Sequence, residues 1–241
     1  MSKDGSGRAP DQVILKIKDL ISSGEFTAGA RLPTERELTQ RFGLSRSSLR
    51  EAVRALTLVG VLEPKVGDGT YVTTLEPELL LTGVGFVSDL LGGSSLLELH
   101  RVRRILEPEA TRLATSRLTD RDFAGLASCL DQMDVAETNQ AFIDSDSEFH
   151  RIIVTASGNA TLASLIQNLS GGTLRARLWH SLAERGAIEA TRAIHRSIYN
   201  ALLARDEEMA SAADLIHLGA SEEWLRRLVE QERGLGGVAP A

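Results

Sequence analysis

Apolar residues recur at three- and four-residue intervals along most of the chain, the period of a helix with one face turned inward. Val13, Ile14, Ile17, Leu20 and Ile21 open the pattern and predict an amphipathic helix that stops near Gly24. Leu38 and Phe42 share one face of a short second helix. Thr34 and Glu37 are spaced as its capping box, and Gly43 can take the left-handed conformation that ends it. Ser45 caps the next helix, in which Leu49, Ala52, Val53 and Leu56 point inward while Arg46, Ser47 and Arg50 lie on or beside the opposite face. Between Leu62 and Val72 the period changes, and two strands are predicted around Val66-Gly67-Asp68-Gly69. Three helices and a hairpin in this order predict a winged helix-turn-helix over residues 1–74, with 1–10 as a loose tail.

Pro77 opens a helical run toward Leu91 that Gly92-Gly93-Ser94 breaks, so residues 75–94 read as a linker and connecting helix. Ser95 and Glu98 are spaced as another capping box, ahead of Leu99, Val102, Leu106 and Leu113. Thr119 is placed to cap a helix carrying Leu126, Leu130 and Met133. Asn139 opens another, with Phe142, Phe149, Ile152, Ile153 and Val154, that stops at Gly158-Asn159. Leu162, Leu165, Ile166 and Leu169 continue to an interruption at Gly171-Gly172, and two further helices span Ile188 to Ala204 and Glu207 to Glu232. The predicted fold is mainly α: the winged domain followed by an all-α antiparallel bundle over 95–235, with 236–241 as a tail.

Charge sharpens that division. Residues 1–75 hold 11 Lys and Arg against 9 Asp and Glu, a net +2, and the remainder holds 16 against 24, a net −8, together the −6 of the whole chain. A weakly basic first module joined to an acidic second one suits a DNA reader with a separate sensing or assembly domain. The single Cys129 forms no internal disulfide, and no apolar run is long enough to cross a membrane. With a polar amino terminus that lacks a signal-peptide pattern, the expected compartment is the cytoplasm.

The chemistry of the first module follows from its third helix. Arginine can grip guanine O6 and N7 with two parallel donors, and serine can reach phosphate or base, so Arg46, Ser47 and Arg50 at one helix end are suited to a major groove. Solvation of two surface helices is the plainer account of Arg36, Arg41, Arg46, Arg50 and Arg54. Capping, turn, spacing and wing agree on the reader instead. Asp68 at the wing tip repels phosphate, so backbone contacts are expected from the wing.

In the second module Asp146 and His150 are four residues apart on one helical face, and His195 and His217 lie on two later helices able to fold back against them. One carboxylate and three imidazoles suit zinc or another first-row divalent ion. The same spacing also describes a simple ion pair, so on spacing alone both readings stand.

The run LPTERELTQRFGLSRSSLREAVRAL with GDGTYV resembles the GntR family of bacterial transcription regulators. ELHRVRRILEPEATRLA, DSEFHRIIVTASGN and IHRSIYNALLARD resemble its FadR-like branch, which carries an all-helical FCD effector domain. The resemblance implies DNA contacts from Arg36, Ser45, Arg46, Ser47, Ser48, Arg50 and Gly67, and a divalent metal at Asp146, His150, His195 and His217. Zinc is the expected ion, with nickel or manganese as alternatives. It further implies a small carboxylate effector, an organic or sugar acid, beside the metal, with Arg103 as its basic partner. Arg103 is equally placed to pair with Glu107 at the surface. A homodimer on a near-palindromic operator is expected, and no catalytic residue. Two alternatives remain: a regulator for which the ion itself is the signal, and a metal-dependent hydrolase, for which no general base is found because Glu148 points elsewhere on its helix.

Overall fold

The computed structural model describes residues 8–90, 94–170 and 188–236. It divides into two compact units, Met1–Gly83 and Val84–Ala241, each with its own core.

The first unit contains α1 (Ala9–Ser22), α2 (Glu35–Phe42), α3 (Arg46–Leu58), the hairpin β1 (Leu62–Lys65) and β2 (Gly69–Val72), and a short α4 (Pro77–Leu80). Pro10 sits in the opening turn of α1, where its missing N–H has no partner to lose, so residues 9 and 10 belong to the helix and not to the predicted tail. Val13, Ile17, Leu38, Phe42, Leu49, Ala52 and Leu56 bury their side chains with Leu62 and Val72 of the hairpin. Both predicted caps form. The Thr34 N–H donates to Glu37 Oε2 at 2.8 Å while the Glu37 N–H donates to Thr34 Oγ1 at 3.4 Å, and Ser45 Oγ accepts the Ser48 N–H at 3.1 Å. Gly43, at φ 67°, turns the chain between α2 and α3.

The strands pair antiparallel with Leu62 opposite Val72 and Lys65 opposite Gly69. Their turn is closed by the Asp68 N–H on the Lys65 carbonyl at 3.1 Å, with Gly67 at φ 77°. A third piece of backbone braces the hairpin: the N–H groups of Gly29 and Leu32 donate to the carbonyls of Val72 and Thr70 at 2.9 and 2.8 Å. The run that opens at Pro77 is not continuous, because α4 ends at Leu80 and α5 (Thr82–Leu90) restarts after Leu81.

The second unit continues with α6 (Ser94–Thr115), α7 (Asp120–Val135), α8 (Asn139–Ala156), α9 (Ala160–Leu169), α10 (Ile188–Leu203) and α11 (Glu207–Gly236). Ser95 lies inside the first turn of α6, so the expected Ser95–Glu98 box does not mark its start. Thr119 and Asp122 do form a box at α7. The glycine breaks expected at 92–93 and 171–172 lie outside the described residues. Phe149, Leu126, Met133, Ile153, Ile198 and Leu202 are central to a core drawn from several helices.

The seam between α6 and α11 is polar as well as apolar. Arg112 pairs with Glu207, Thr111 with Asp214, His100 with the Leu218 carbonyl and Arg104 with Glu222. Residues late in α6 meet residues early in α11, which fixes the two helices as antiparallel. Among the described residues no helix is long and apolar enough to cross a membrane.

Candidate nucleic-acid interface and metal centre

The start of α2, the start of α3 and the wing present Arg36, Ser45, Arg46, Ser47, Arg50 and Gly67 to solvent. Ser48 is turned inward and buried, its hydroxyl 2.9 Å from that of Ser45, so its place is in the cap and not on the reading face. Arg50 forks onto Glu35, with Nε donating to both carboxylate oxygens at 3.0 Å and Nη2 at 2.9 Å. That hydrogen bond holds the Glu35 carboxyl below its ordinary value. Glu35, Arg50, Val53, Arg54, Thr57, Pro64 and Thr70 line an open groove between α3 and the wing.

The Asp68 carboxylate at the wing tip does not stand alone. Arg31 lies 3.4 Å from Oδ1, and the Tyr71 hydroxyl donates to Oδ2, which keeps the phenol above its ordinary pKa. Arg31 therefore offsets the charge that counts against the wing. The partners of Arg50 and Asp68 escape a reading by local spacing, since Glu35 and Arg31 are 15 and 37 residues away from them.

In the second unit Asp146 and His150 from α8, His195 from α10 and His217 from α11 converge, with one ligand atom from each lying within 4.8 Å of the others. All four are buried at 6% exposure or less. The helical spacing sets Asp146 and His150 one turn apart, and Phe149 packs edge-on against the His150 and His195 rings at 5.6 and 5.1 Å between centroids. His150 stacks on His217 at 4.8 Å.

The protonation of the rings follows from their partners. His195 Nδ1 is 2.8 Å from the Thr191 carbonyl, which only accepts, so Nδ1 carries a proton. Nε2 is then left to face Asp146 Oδ1 at 3.0 Å, an arrangement completed by a proton on Nε2 or by a metal ion drawing both lone pairs. Burial, and after it the charges of His195 and His150, push the His217 pKa well below its usual value and keep that ring neutral. His217 Nδ1 is buried with no hydrogen-bond partner among the described residues. Three imidazoles gathered beside one carboxylate are the donor set of a first-row divalent ion, so the residues fit the predicted group.

Arg103 is not the surface partner of Glu107 that sequence spacing also allowed. The two are paired one turn apart on α6 but buried, with side chains 5 and 2% exposed, and Arg103 Nη2 donates to Glu107 Oε2 at 3.3 Å. Burial works against the guanidinium charge, yet the neighbouring Glu107, Asp146 and Asp214 carboxylates hold it protonated. Glu107, His150 and Asp214 also offer ligand atoms within 4.8 Å of one another, so this polar set adjoins the histidine cluster through His150. Asp214 was not singled out in the sequence. Its signal was available: it lies one turn before His217 on the same helical face.

Comparison with known proteins agrees with both units. Residues 10–72 match the bacterial regulatory proteins of the gntR family, and residues 98–220 match the FCD domain. The HTH-type transcriptional regulator LutR of Bacillus subtilis is 28% identical over 88% of this chain and 99% of its own length. The HTH-type transcriptional regulator Rv0494 of Mycobacterium tuberculosis is 32% identical over 89% of this chain and 88% of its own. The solved structure of a Streptococcus agalactiae GntR protein superposes with a TM-score of 0.62 at 26% identity, covering 89% of this chain and 99% of that one. The chain belongs to the GntR family of bacterial transcription regulators, with an FCD domain behind its winged helix, and is a DNA-binding regulator rather than an enzyme.

Proposed function

We propose that operator binding by residues 1–74 is controlled by a small carboxylate, an organic or sugar acid, held at a divalent metal in the helical domain over residues 95–235. The observation that carries this reading is the convergence of Asp146, His150, His195 and His217, from three helices, into one buried cluster with a ligand atom of each within 4.8 Å of the others. Asp146, His150, His195 and His217 would hold the ion, zinc in our reading, with nickel and manganese the other ions to test. The ion would supply a Lewis-acidic anchor for the carboxylate, and Arg103 a buried positive charge beside it.

On the DNA side, Arg46 and Ser47 at the amino end of α3 would meet base edges, and Arg36, Ser45, Arg50 and the Gly67 backbone phosphates; the exposure of all six supports this reading. A homodimer in the cytoplasm would set two such helices on a near-palindromic site. Val102 and Ile105 of α6 and Met209 and Ile216 of α11 leave apolar side chains exposed that a second copy would cover.

Control requires the acid to favour one arrangement of the protein over another, since equal affinity for both shifts nothing. The test measures thermal stability and operator affinity together, after chelation, after return of one ion, and after addition of organic and sugar acids. A ligand of the folded state raises stability by mass action, and the expected result is a change in operator affinity that needs ion and acid together. A change with the ion alone would make the protein a metal sensor. Operator affinity indifferent to both would overturn the reading.

A further inference from the structure

The α6–α11 seam beside the metal ligands holds a carboxylate that the site as described does not use. Asp214 is 2% exposed. Its Oδ2 accepts the Thr111 hydroxyl at 2.8 Å, which fixes the side chain, while its Oδ1 is buried with no hydrogen-bond partner among the described residues. A buried carboxylate oxygen left unpaired is costly, and such atoms are retained where a ligand completes them. The surroundings say which ligand. The Asp214 carboxylate lies within 4.8 Å of both the Glu107 carboxylate and a ring nitrogen of His150, so it borders the space where an acid bound to the metal would lie.

We propose that Asp214 is a specificity residue of the effector site, its Oδ1 holding a hydroxyl of the bound acid, so that the regulator answers to hydroxylated carboxylates and rejects plain ones. The inference rests on the carboxylate-and-metal reading above and adds the part of the ligand that reading leaves open. A hydroxyl fits better than an ammonium because it both donates and accepts. Sites built to bond a hydroxyl discriminate strongly against the analogue that lacks it, because their own polar atom is then left unpaired.

Titration calorimetry on the zinc-loaded full chain tests this with matched acids: butanoate, 2-hydroxybutanoate, 3-hydroxybutanoate and 2-aminobutanoate, and hexanoate against gluconate. In the unaltered protein at least one hydroxylated acid should bind about tenfold to a hundredfold more tightly than its plain counterpart. Asp214→Leu should shrink that preference to less than about threefold. Thr111→Val, which frees the carboxylate from its anchor, keeps the test available if the leucine variant does not fold, and should lower the preference by a smaller factor. Equal affinities within every pair, a preference that survives Asp214→Leu, or an amino acid that outbinds its hydroxy counterpart would overturn the assignment with the carboxylate reading intact. If zinc binds and none of the acids does, the carboxylate reading fails and the assignment with it.

Discussion

Arg50 and Arg103 each fork onto a glutamate, Glu35 and Glu107, but the first pair is 62 and 48% exposed and the second 5 and 2%. The winged unit repeats the exposed version: Arg41 with Glu25 and Arg31 with Asp68 are all between about two-fifths and three-fifths open to solvent. The bundle has exposed pairs of its own, such as Arg151 with Glu148 and Arg227 with Glu223, and adds a buried polar set, with Asp146, His150, His195, Asp214 and His217 under a tenth exposed. An exposed pair is worth little and can exchange one partner for a phosphate or a base. A buried pair has already lost its hydration, so it cannot release a member without leaving a charge stranded. The first unit is thus built to trade contacts, and the second to hold a polar set in place until a ligand completes it.

The widest separation is expected on deleting the acid of each pair. Glu107→Ala strands Arg103 in the interior and should cost about 3 to 5 kcal/mol, whereas Glu35→Ala should cost less than about 1 kcal/mol. Both tryptophans, Trp179 and Trp224, lie beyond residue 83, so intrinsic fluorescence in a urea titration reports on the second unit, and circular dichroism adds the first. Comparable losses from the two substitutions would remove the distinction between the units.

The pH dependence of the metal-free protein separates them next. His100 is pushed down to about 4 by burial and then by Arg103, so an unfolding chain takes up the proton first as pH falls. Stability is full above about 6.5 and is lost between 6.5 and about 4, by about 3 kcal/mol. His217 acts in the same sense. Asp214 opposes both: its folded value is raised to about 7, so its contribution is full below about 4 and disappears as pH rises through 7. Asp214→Asn should therefore make the protein lose stability more steeply on acidification than the parent, as read from unfolding midpoints across pH 4 to 8. Superimposable profiles would mean that Asp214 is not held toward its neutral form.

How far these features were legible in the sequence depends on the range of the interaction. Thr34–Glu37, Ser45 and Thr119 could be read because a cap bonds its own first turn, three residues away. Asp146 and His150 share a helical face by spacing alone, His195 and His217 stood out as histidines on later helices able to fold back, and the resemblance chose a metal over an ion pair. The break at Leu81 was missed because Pro77 marks a helix start but nothing after it announces a stop. The burial of Arg103 and Glu107, the Thr111–Asp214 bond and the Arg31 brace on the wing depend on segments that tertiary packing brings together, over separations of 103 and 37 residues for the last two. An i, i+4, i+8 row of Arg103, Glu107 and Thr111 is as consistent with a solvated stripe as with a buried one until α11 is laid against it.

Removing a reading arginine tests the exposed side more gently. Arg46→Ala should weaken operator binding by about 1 to 3 kcal/mol and relax base preference at one position, with stability unchanged. Fluorescence anisotropy on operator variants measures both effects. A uniform loss across all sequences would make Arg46 a phosphate contact instead.

The smallest effect is the most specific to the idea of traded contacts. If Glu35 holds Arg50 only until DNA arrives, binding must first break that pair and leaves a carboxylate beside the duplex. Glu35→Gln keeps the side-chain shape and removes the charge. It should tighten binding to operator and unrelated DNA alike, by less than about 1 kcal/mol, because the gain is one of charge and carries no sequence information. The gain should shrink as salt is raised, since the interaction removed is an exposed one and is screened over about 10 Å at 0.1 M. Weaker binding confined to the operator would show instead that Glu35 positions Arg50 for a base, and the pair would then be a fixed part of the reading surface, closer in kind to Arg103 and Glu107 than its exposure suggests.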